Sequence, residues 1–465
     1  MVKIRHLGIV VLITSLAALS GCGAVATRTG FHEPITSDFQ AGNFPKAAAG
    51  IEQARSDGKY GKKDRLLYYL DSGVVYHYAG ELDSSNAKLT MAEEAADELF
   101  TKSVTRAAGS LLLNDNLLEY AGEDYEILYA NLLMALNYMS IGQFDDAFVE
   151  IRRSNEKLEL LEQKYAGAVE QLNAENESGD DSSSIDYEAA KVRFYNDAFA
   201  RYLSMRIYAA DGKMDDARID FDYLNDAFEI QPHIYDFPIP EVKQTAEEGA
   251  LLSVVALAGL SPVKEAMNLR IRTDKDLDLV QVLYTDSENK DSEYGHLPMP
   301  ISEDYYFKFA IPKLVPRLSN VAVIKVYSDS RLIGELGLLE DISKVAEETF
   351  KAKSSLIYFK SVARAVAKGL AAHKAKKKAD SGGFEGWLKK VAIDVVTDVS
   401  ENADLRCARY LPGKIFVGDF EVEPGVYDLK IVFFNFDGIE IMTTYFLDEK
   451  INSSGLNLLE TFCPN

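Results

Sequence analysis

The chain contains few of the side chains that usually carry chemistry. Among 465 residues there are three cysteines, six histidines and one tryptophan. So few cysteines exclude a disulfide-dense scaffold, and no C-x-x-C or Cys/His spacing typical of a zinc site occurs. Metalloprotease, nucleophile-elbow and phosphate-loop motifs are absent too. We therefore expect no metal, no cofactor and no catalytic activity.

Basic residues and long apolar runs are also scarce. Fifty Lys and Arg stand against 73 Asp and Glu, which gives a formal net charge of −23. So acidic a chain argues against nucleic acid as a partner and favours solubility. The one long apolar run, residues 7–19, is too short to span a bilayer comfortably. We therefore expect the rest of the chain to lie outside the membrane.

The apolar run has the features of an N-terminal export signal. Lys3 and Arg5 precede it, and Leu19-Ser20-Gly21-Cys22 ends it. This succession resembles a bacterial lipobox, with residues 1–21 as signal peptide; ordinary secretory cleavage is the alternative. The resemblance implies lipidation of Cys22 by more than one acyl chain, each methylene adding ~0.8 kcal/mol of membrane affinity. Gly23 in place of aspartate implies an outer-membrane anchor, with the body in the periplasm or facing the cell surface.

Four short turns with glycine recur in the first half. They contain Gly42, Gly80, Gly142 and Gly212. Five residues after each glycine comes a small residue, and nine after it an apolar one: Ala47, Ser85, Ala147, Ala217 and Ile51, Leu89, Ile151, Phe221. A glycine in the left-handed conformation ends a helix, and the small residue lets the next helix approach closely. The pattern predicts helical hairpins.

These hairpins resemble tetratricopeptide repeats, whose period is about 34 residues. The glycines lie 38, 62 and 70 residues apart, so the array is interrupted. After a tether at residues 22–38, we expect a tetratricopeptide-like α-solenoid at residues 39–260, capped by a helix at residues 241–260. A helical bundle without repeat ancestry is the alternative.

The second half, residues 261–465, changes to strand patterns, so the expected fold class is α+β with several domains. Residues 321–327 and 332–336 predict a hairpin. Residues 416–422, 426–434 and 439–446 predict a three-stranded meander, with Pro424-Gly425 in a type II turn. A small β-sandwich is the expected architecture.

A helical hairpin interrupts this β-rich domain at about residues 338–402, with helices at 338–378 and 384–401. Basic residues cluster at its centre, followed by the single tryptophan: Lys374, Lys376, Lys377, Lys378 and Trp387. A solvated helix tip explains the lysines, because cations complement the C-terminal dipole. The alternative is contact with anionic lipid or with an acidic partner surface.

Two cysteines remain in the body of the chain, Cys407 and Cys463. In an oxidising periplasm they would be able to form a disulfide, and two buried free thiols are the alternative.

The whole layout resembles a group of Gram-negative lipoproteins with degenerate tetratricopeptide helices and a C-terminal β region. The resemblance is carried by Asp404-Leu405-Arg406, Leu411-Pro412 and Pro424-Gly425-Val426-Tyr427. This chain departs from the group at Ala408, where tryptophan is frequent. The resemblance implies no catalytic residue, and it suggests a role in cell-envelope biogenesis.

Two hypotheses for function follow. In the first, the protein is a scaffold or adaptor whose helical array binds another envelope protein. In the second, aromatic strands such as Tyr305-Tyr306-Phe307 bind a glycan or peptidoglycan fragment, although such aromatics also fill sheet cores.

Overall fold

The computed structural model describes residues 30–105, 116, 118–177, 191–274, 276, 279–285, 291–298, 306–374 and 403–465. These ranges contain both α-helices and β-sheets, so the chain belongs to the α+β class. Helices occupy the first half and strands most of the second, as expected. None of the described helices is long and apolar enough to cross a membrane.

The described helices of the first half form consecutive pairs. They are α1 (His32–Gln40), α2 (Phe44–Ser56), α3 (Arg65–Tyr78), α4 (Leu82–Thr105), α5 (Asp124–Ser140), α6 (Phe144–Glu177), α7 (Ala198–Ala210) and α8 (Met214–Ile230). A 3₁₀ turn, Lys62–Asp64, precedes α3. A three-residue turn joins each pair, and the two helices pack against each other as a hairpin.

The four turns have the conformation that the sequence predicts. Gly42, Gly80, Gly142 and Gly212 have φ angles of +76°, +76°, +74° and +73°. Each glycine N–H donates to the carbonyl three residues earlier, and the next N–H donates to the carbonyl five residues earlier. These bonds satisfy the last carbonyls of the helix, which requires the positive φ that glycine tolerates.

The small residues of the pattern let the paired helices approach closely. Ala47, Ser85, Ala147 and Ala217 are all fully buried, which confirms that prediction. Contact is tightest between α3 and α4, where the Ser85 hydroxyl donates to the carbonyl of Gly73 at 2.8 Å.

Strands of the second half form three four-stranded sheets in the described residues. They are β1 (Ala250–Ala258), β2 (Val263–Asp274), β3 (Leu279–Thr285), β4 (Asp291–Pro298), β5 (Tyr306–Val315), β6 (Val323–Ser328), β7 (Arg331–Glu335), β8 (Gly337–Asp341), β9 (Lys414–Val422), β10 (Gly425–Phe434), β11 (Glu440–Ile451) and β12 (Leu458–Cys463). The inner sheet has the order β12-β1-β9-β8, the outer sheet β11-β10-β6-β7 and the third sheet β4-β3-β2-β5. Helix α9 (Ile342–Lys374) follows β8 and packs against β5.

The inner sheet lies between the helices and the outer sheet. Along β1, Val255 and Leu257 belong to the core that the helices form. Leu252, Val254 and Ala256 alternate with them and pack in a second core with β6 and β10 of the outer sheet. Side chains alternate across a strand, so one sheet serves two cores.

The predicted cap helix at residues 241–260 is wrong. Residues 250–258 form β1, which pairs with β12 on one side and β9 on the other. A continuous apolar run suits a strand that is buried on both faces as well as it suits a buried helix. Pairing with two strands distant in sequence decides between them.

The predicted three-stranded meander is wrong at its first turn. β9 belongs to the inner sheet and β10 to the outer sheet, so Pro424 and Gly425 carry the chain from one sheet to the other. Gly425 does not adopt the positive φ that a type II turn requires. The β10–β11 hairpin is confirmed, with Gly438 at φ +75°, and so is the predicted β6–β7 hairpin.

Two element boundaries also need correction. The predicted tether, residues 22–38, includes most of α1, and His32 and Ile35 of this overlap are buried. The predicted insertion helix begins at Ile342 and not at residue 338, because β8 pairs with β9 before it. The helix predicted at residues 384–401 lies outside the described residues.

We expect Gly73→Ala to destabilise the protein by about 1–3 kcal/mol, the usual range for overpacking. A Cβ at this position would lie 2.6 Å from Cγ of the fully buried Leu89. Urea unfolding followed by circular dichroism measures the change. Gly50→Ala is the matched control, because its nearest neighbour is one side-chain carbon of Ile35 at 3.1 Å. Equal effects of the two substitutions would contradict the close approach of α3 and α4.

Candidate functional site at the junction of the two halves

Residues 403–413, which we call the strap, run against the helices without forming helix or strand. Ala408, Tyr410 and Leu411 of the strap are buried in the same core as the helices. Backbone N–H groups in an irregular buried segment need partners from elsewhere in the molecule. Helices α3 and α5 supply them: the Ala408 N–H donates to Glu126 at 2.6 Å, and the Arg409 N–H donates to Asp71 at 3.0 Å.

Arg406 is the strap's buried charge. Its guanidinium donates to both carboxylate oxygens of Asp404, at 2.8 and 2.7 Å, and to Asp64 at 3.1 Å. A further bond reaches the carbonyl of Leu118 at 3.1 Å. Burial would raise the pKa of Asp404, but the guanidinium outweighs it and lowers the pKa to about 2. Arg406 is thus held by two carboxylates, one from the strap and one from the helical half.

A second buried ion pair lies beside the first. Lys264 of β2 donates to Glu123, and both side chains are 2% exposed. Lys353 of α9 donates to the same carboxylate at 2.8 Å. Glu123 precedes α5, and its own N–H donates to Glu126 at 2.9 Å. Through this bond the Glu126 side chain caps the N-terminus of α5, so the start of α5, the third sheet and α9 meet at Glu123.

Asp71 and Glu126 are buried acids with raised pKa values. Burial raises the pKa of Asp71 to about 7, although bonds from the Arg409 N–H and the Tyr60 hydroxyl oppose the rise. Burial also raises the pKa of Glu126, and the neighbouring Glu123 carboxylate adds to the effect. Both carboxyls accept hydrogen bonds on both oxygens, which favours the carboxylate and limits the rise in pKa that burial causes.

Further buried polar contacts join the helices to the inner sheet. Arg206 of α7 lies 3.3 Å from Asp419 of β9, and Tyr202 donates to the same carboxylate at 2.9 Å. His77 of α3 lies 2.6 Å from Glu460 of β12. Burial opposes protonation of His77, but Glu460 outweighs it and the pKa of His77 is raised. The two halves therefore share polar contacts as well as an apolar core.

The geometry of the junction suits structural coupling better than catalysis. Carboxyls with a pKa near 7 are chemically suited to proton transfer. However, Asp71 and Glu126 are buried; one oxygen of each accepts from a strap N–H, and the other accepts from a tyrosine hydroxyl. Among the described residues, no group of three or more His, Cys, Asp or Glu is placed to hold a metal ion.

Most of the candidate residues from the sequence analysis are not among the described residues. Cys22, Lys376, Lys377, Lys378 and Trp387 lie outside the described residues. Lys374 is the last residue of α9. The lipid anchor and the membrane-contact or partner-contact role of the lysines therefore stay predictions.

Of the two alternatives for Cys407 and Cys463, a disulfide or two buried free thiols, the structure has the free thiols, and both are buried. Cys407 belongs to the strap beside Glu126 and Lys264, and burial raises the pKa of its thiol. Cys463 ends β12 and packs in the core between the inner and outer sheets. Because the two cysteines lie in different surroundings, neither thiol is bonded to the other.

Sequence reasoning noticed Asp404 and Arg406 through a family resemblance, and it missed the helical carboxylates that receive the strap. The missed signal is a charge inside an apolar helix. Asp71 interrupts a run of apolar and aromatic residues in α3, and Glu126 does so in α5. A charged side chain on the buried face of a helix requires a polar partner.

Comparisons with known proteins add no identification. No protein-family model matches the chain, no curated protein matches it, and no solved structure matches it.

We expect the stability of the wild-type protein to fall with pH through Asp71. Its folded-state pKa of about 7 lies above the ordinary value of 3.8, so the folded state retains a proton that the unfolded state releases. The contribution of this carboxyl to the free energy of unfolding is therefore largest at low pH. It falls by up to about 1.4 kcal/mol per pH unit as the pH rises towards 7.

The neutral isostere Asp71→Asn should remove this contribution, so its free energy of unfolding relative to wild type should rise between pH 5 and pH 7. Urea unfolding at each pH measures it. Asp437→Asn, in an exposed turn, is the control and should follow wild type. Parallel pH profiles for wild type and Asp71→Asn would contradict a buried protonated acid.

Arg406→Met should destabilise the protein by about 3–5 kcal/mol, because it removes the guanidinium that pairs with the buried carboxylates of Asp64 and Asp404. Chemical unfolding measures the loss. Arg331→Met removes an exposed arginine at the β6–β7 turn and should change stability by less than about 0.5 kcal/mol. A small effect at Arg406 would show that the strap is not held by its charge.

The thiols can be counted directly. An unlipidated Cys22→Ser form, unfolded without reductant, should react with two equivalents of Ellman's reagent, and the native form should react far more slowly because both thiols are buried. Absence of reactive thiols after unfolding, with a mass lower by two hydrogens, would establish the disulfide instead.

Proposed function

We propose that the protein is a lipid-anchored scaffold of the bacterial envelope that presents a rigid surface to another envelope protein. The helical hairpins act as a tetratricopeptide-like solenoid, and the inner and outer sheets act as a β-sandwich that closes one side of it. Partners bind this assembly from outside, in a role in envelope biogenesis.

The observation that carries the proposal is the strap. Its buried N–H groups bond to Asp71 and Glu126 of the helices, and its Tyr410 and Leu411 fill the helical core. The side of the helices that α3 and α5 present to the strap is in this way occupied by the chain itself. Helices and sheets then move as one body, which suits a platform for binding better than a hinge.

Cys22 provides the anchor of this proposal. Nine residues lie between it and the start of α1 at His32, so ten Cα–Cα steps join the two. A chain of that length spans at most about 35 Å when fully extended. The body would thus stay close to the leaflet in which the acyl chains are inserted, at the outer membrane, and partners would be proteins of the same surface.

The scaffold is tested by in-cell crosslinking of the lipidated, tagged chain, followed by recovery from solubilised envelopes. We expect one or a few proteins in fixed ratio to the bait, because a scaffold holds defined partners. A Cys22→Ser form is the control: it should lose them if anchoring places the body beside its partner. Recovery of no protein above background, in repeated experiments with crosslinkers of different length, would contradict the proposal.

A second candidate is binding of a glycan or peptidoglycan fragment, favoured by a groove of about 500 Å³ between α9 and the third sheet. Phe350 and Tyr358 offer aromatic surface there, and Ser343, Ser354 and Ser355 offer hydroxyls. Aromatic faces beside hydrogen-bonding groups suit sugar rings. Saturable binding of muropeptides to the Cys22→Ser form, reduced at least tenfold by Tyr358→Ala, would support it. No binding at millimolar fragment would exclude it.

A further inference from the structure

Helix α8 ends the stack of helical hairpins, and no helix follows to cover it in the described sequence before β1. The cap predicted at residues 241–260 is a loop followed by β1. One face of α8 packs inward through Ala217, Leu224 and Ala227, all fully buried. Within the part of the chain that the structure describes, the other side of α8 is exposed, at the end of the array where a solenoid ordinarily places a polar cap.

This open face carries a stripe of apolar side chains. Ile219, Tyr223 and Ile230 are 45%, 46% and 58% exposed, and their spacing of four and seven residues puts them on one side of the helix. Tyr195, 54% exposed, adjoins them, because its N–H donates to Gln231 at 2.7 Å. We call these four residues the α8 stripe.

Tyr223 is held in place within the stripe. The guanidinium of Arg201 lies 4.7 Å from the centre of the Tyr223 ring, and it also donates to Asn196 at 2.8 Å. Asn196 in turn donates to the carbonyl of Tyr223. A ring fixed by a stacked cation loses less side-chain entropy on binding than a free one, so the stripe is partly preorganised.

Acidic residues border the stripe. Five exposed carboxylates lie along the helix: Asp215, Asp216, Asp222, Asp226 and Glu229. The helix contains one basic residue, Arg218, which lies 3.5 Å from Asp222. An apolar stripe with a negative border is complementary to an apolar stripe with a positive border.

We propose that the α8 stripe docks a cationic amphipathic helix of a partner protein, so that the partner supplies a cap that the described residues of this chain do not form. The inference rests on the proposed scaffold function and names its binding surface. Apolar residues of the partner at helical spacing would cover Ile219, Tyr223 and Ile230, and its lysines or arginines would face the carboxylates. From Ile219 to Ile230 the helix rises by eleven steps, or about 16 Å, which matches about three turns of a partner helix.

The acidic border argues against two other occupants. An anionic membrane surface would be repelled by five carboxylates. A second copy of this chain would bring an identical acidic border against the first, on a protein whose net charge is already −23.

The surface is tested with a probe of known composition. A labelled eighteen-residue peptide with leucines at helical spacing and lysines on both flanks should bind the Cys22→Ser form, and the same peptide with glutamates in place of lysines should not. The triple variant Ile219→Ser, Tyr223→Ser, Ile230→Ser should weaken binding at least tenfold. The variant Asp215→Asn, Asp226→Asn, Glu229→Gln should weaken it too and reduce its salt dependence.

Phe436→Ser is the matched control, because Phe436 is an apolar side chain, 79% exposed, in the β10–β11 turn. It should bind the peptide like wild type. All these substitutions lie on exposed positions, so circular dichroism should show unchanged folding. Equal affinity of the stripe variant and the control, or equal binding of both peptides, would overturn the proposal.

The docking surface can also be tested in cells, with a photo-crosslinking amino acid at position 223. We expect adducts whose sequenced peptide is basic and has apolar residues at helical spacing, and no such adduct from position 436. Adducts with lipid or with this same chain would overturn the inference. If whole-chain crosslinking recovers a partner but position 223 gives none, the docking surface is wrong and the scaffold stands; if neither gives a partner, both fail.

Discussion

The strap is largely buried, yet it carries an arginine and a series of backbone N–H groups. The fold depends on supplying a counter-charge to the arginine and hydrogen-bond acceptors to these N–H groups. A buried N–H without an acceptor, or a buried charge without a counter-charge, lowers the free energy of unfolding. Because this free energy is small for a folded protein, even one such group is a large loss of stability. In the helical half, Asp71 and Glu126 accept the strap's N–H groups, and Asp64 pairs with the arginine. Glu126 and Ala408 are 282 residues apart in sequence, so the contact joins the two halves directly.

The architecture of the halves follows from this junction. The inner sheet gives one face to the helices and the other to the outer sheet, so its strands are apolar on both sides. Two further buried pairs also join the helices to the inner sheet: Arg206 with Asp419, and His77 with Glu460. Removing either half would expose an apolar face and leave charges unpaired. Point substitutions on the surface are for this reason better probes of function than truncations.

Charge has opposite roles inside and outside the molecule. Inside, carboxyls are either paired, as Asp404 is with Arg406, or shifted towards the neutral form, as Asp71 is by burial. Outside, carboxylates are left facing solvent, and on α8 they border apolar side chains. A surface of this kind repels anionic membranes and copies of itself, and it attracts cationic partners. The acidic composition thus bears on partner choice more than on fold.

By itself the sequence determined the local structure of the helices, because a glycine with positive φ, a small residue and an apolar residue at fixed spacing act within one hairpin. It also determined the β6–β7 and β10–β11 hairpins, whose turns are equally local. Tertiary structure alone decided that residues 250–258 are a strand, that Pro424 and Gly425 pass between sheets, and that Asp71 and Glu126 receive the strap. Each of these depends on partners far away in the chain, and periodicity within a segment carries no information about such partners.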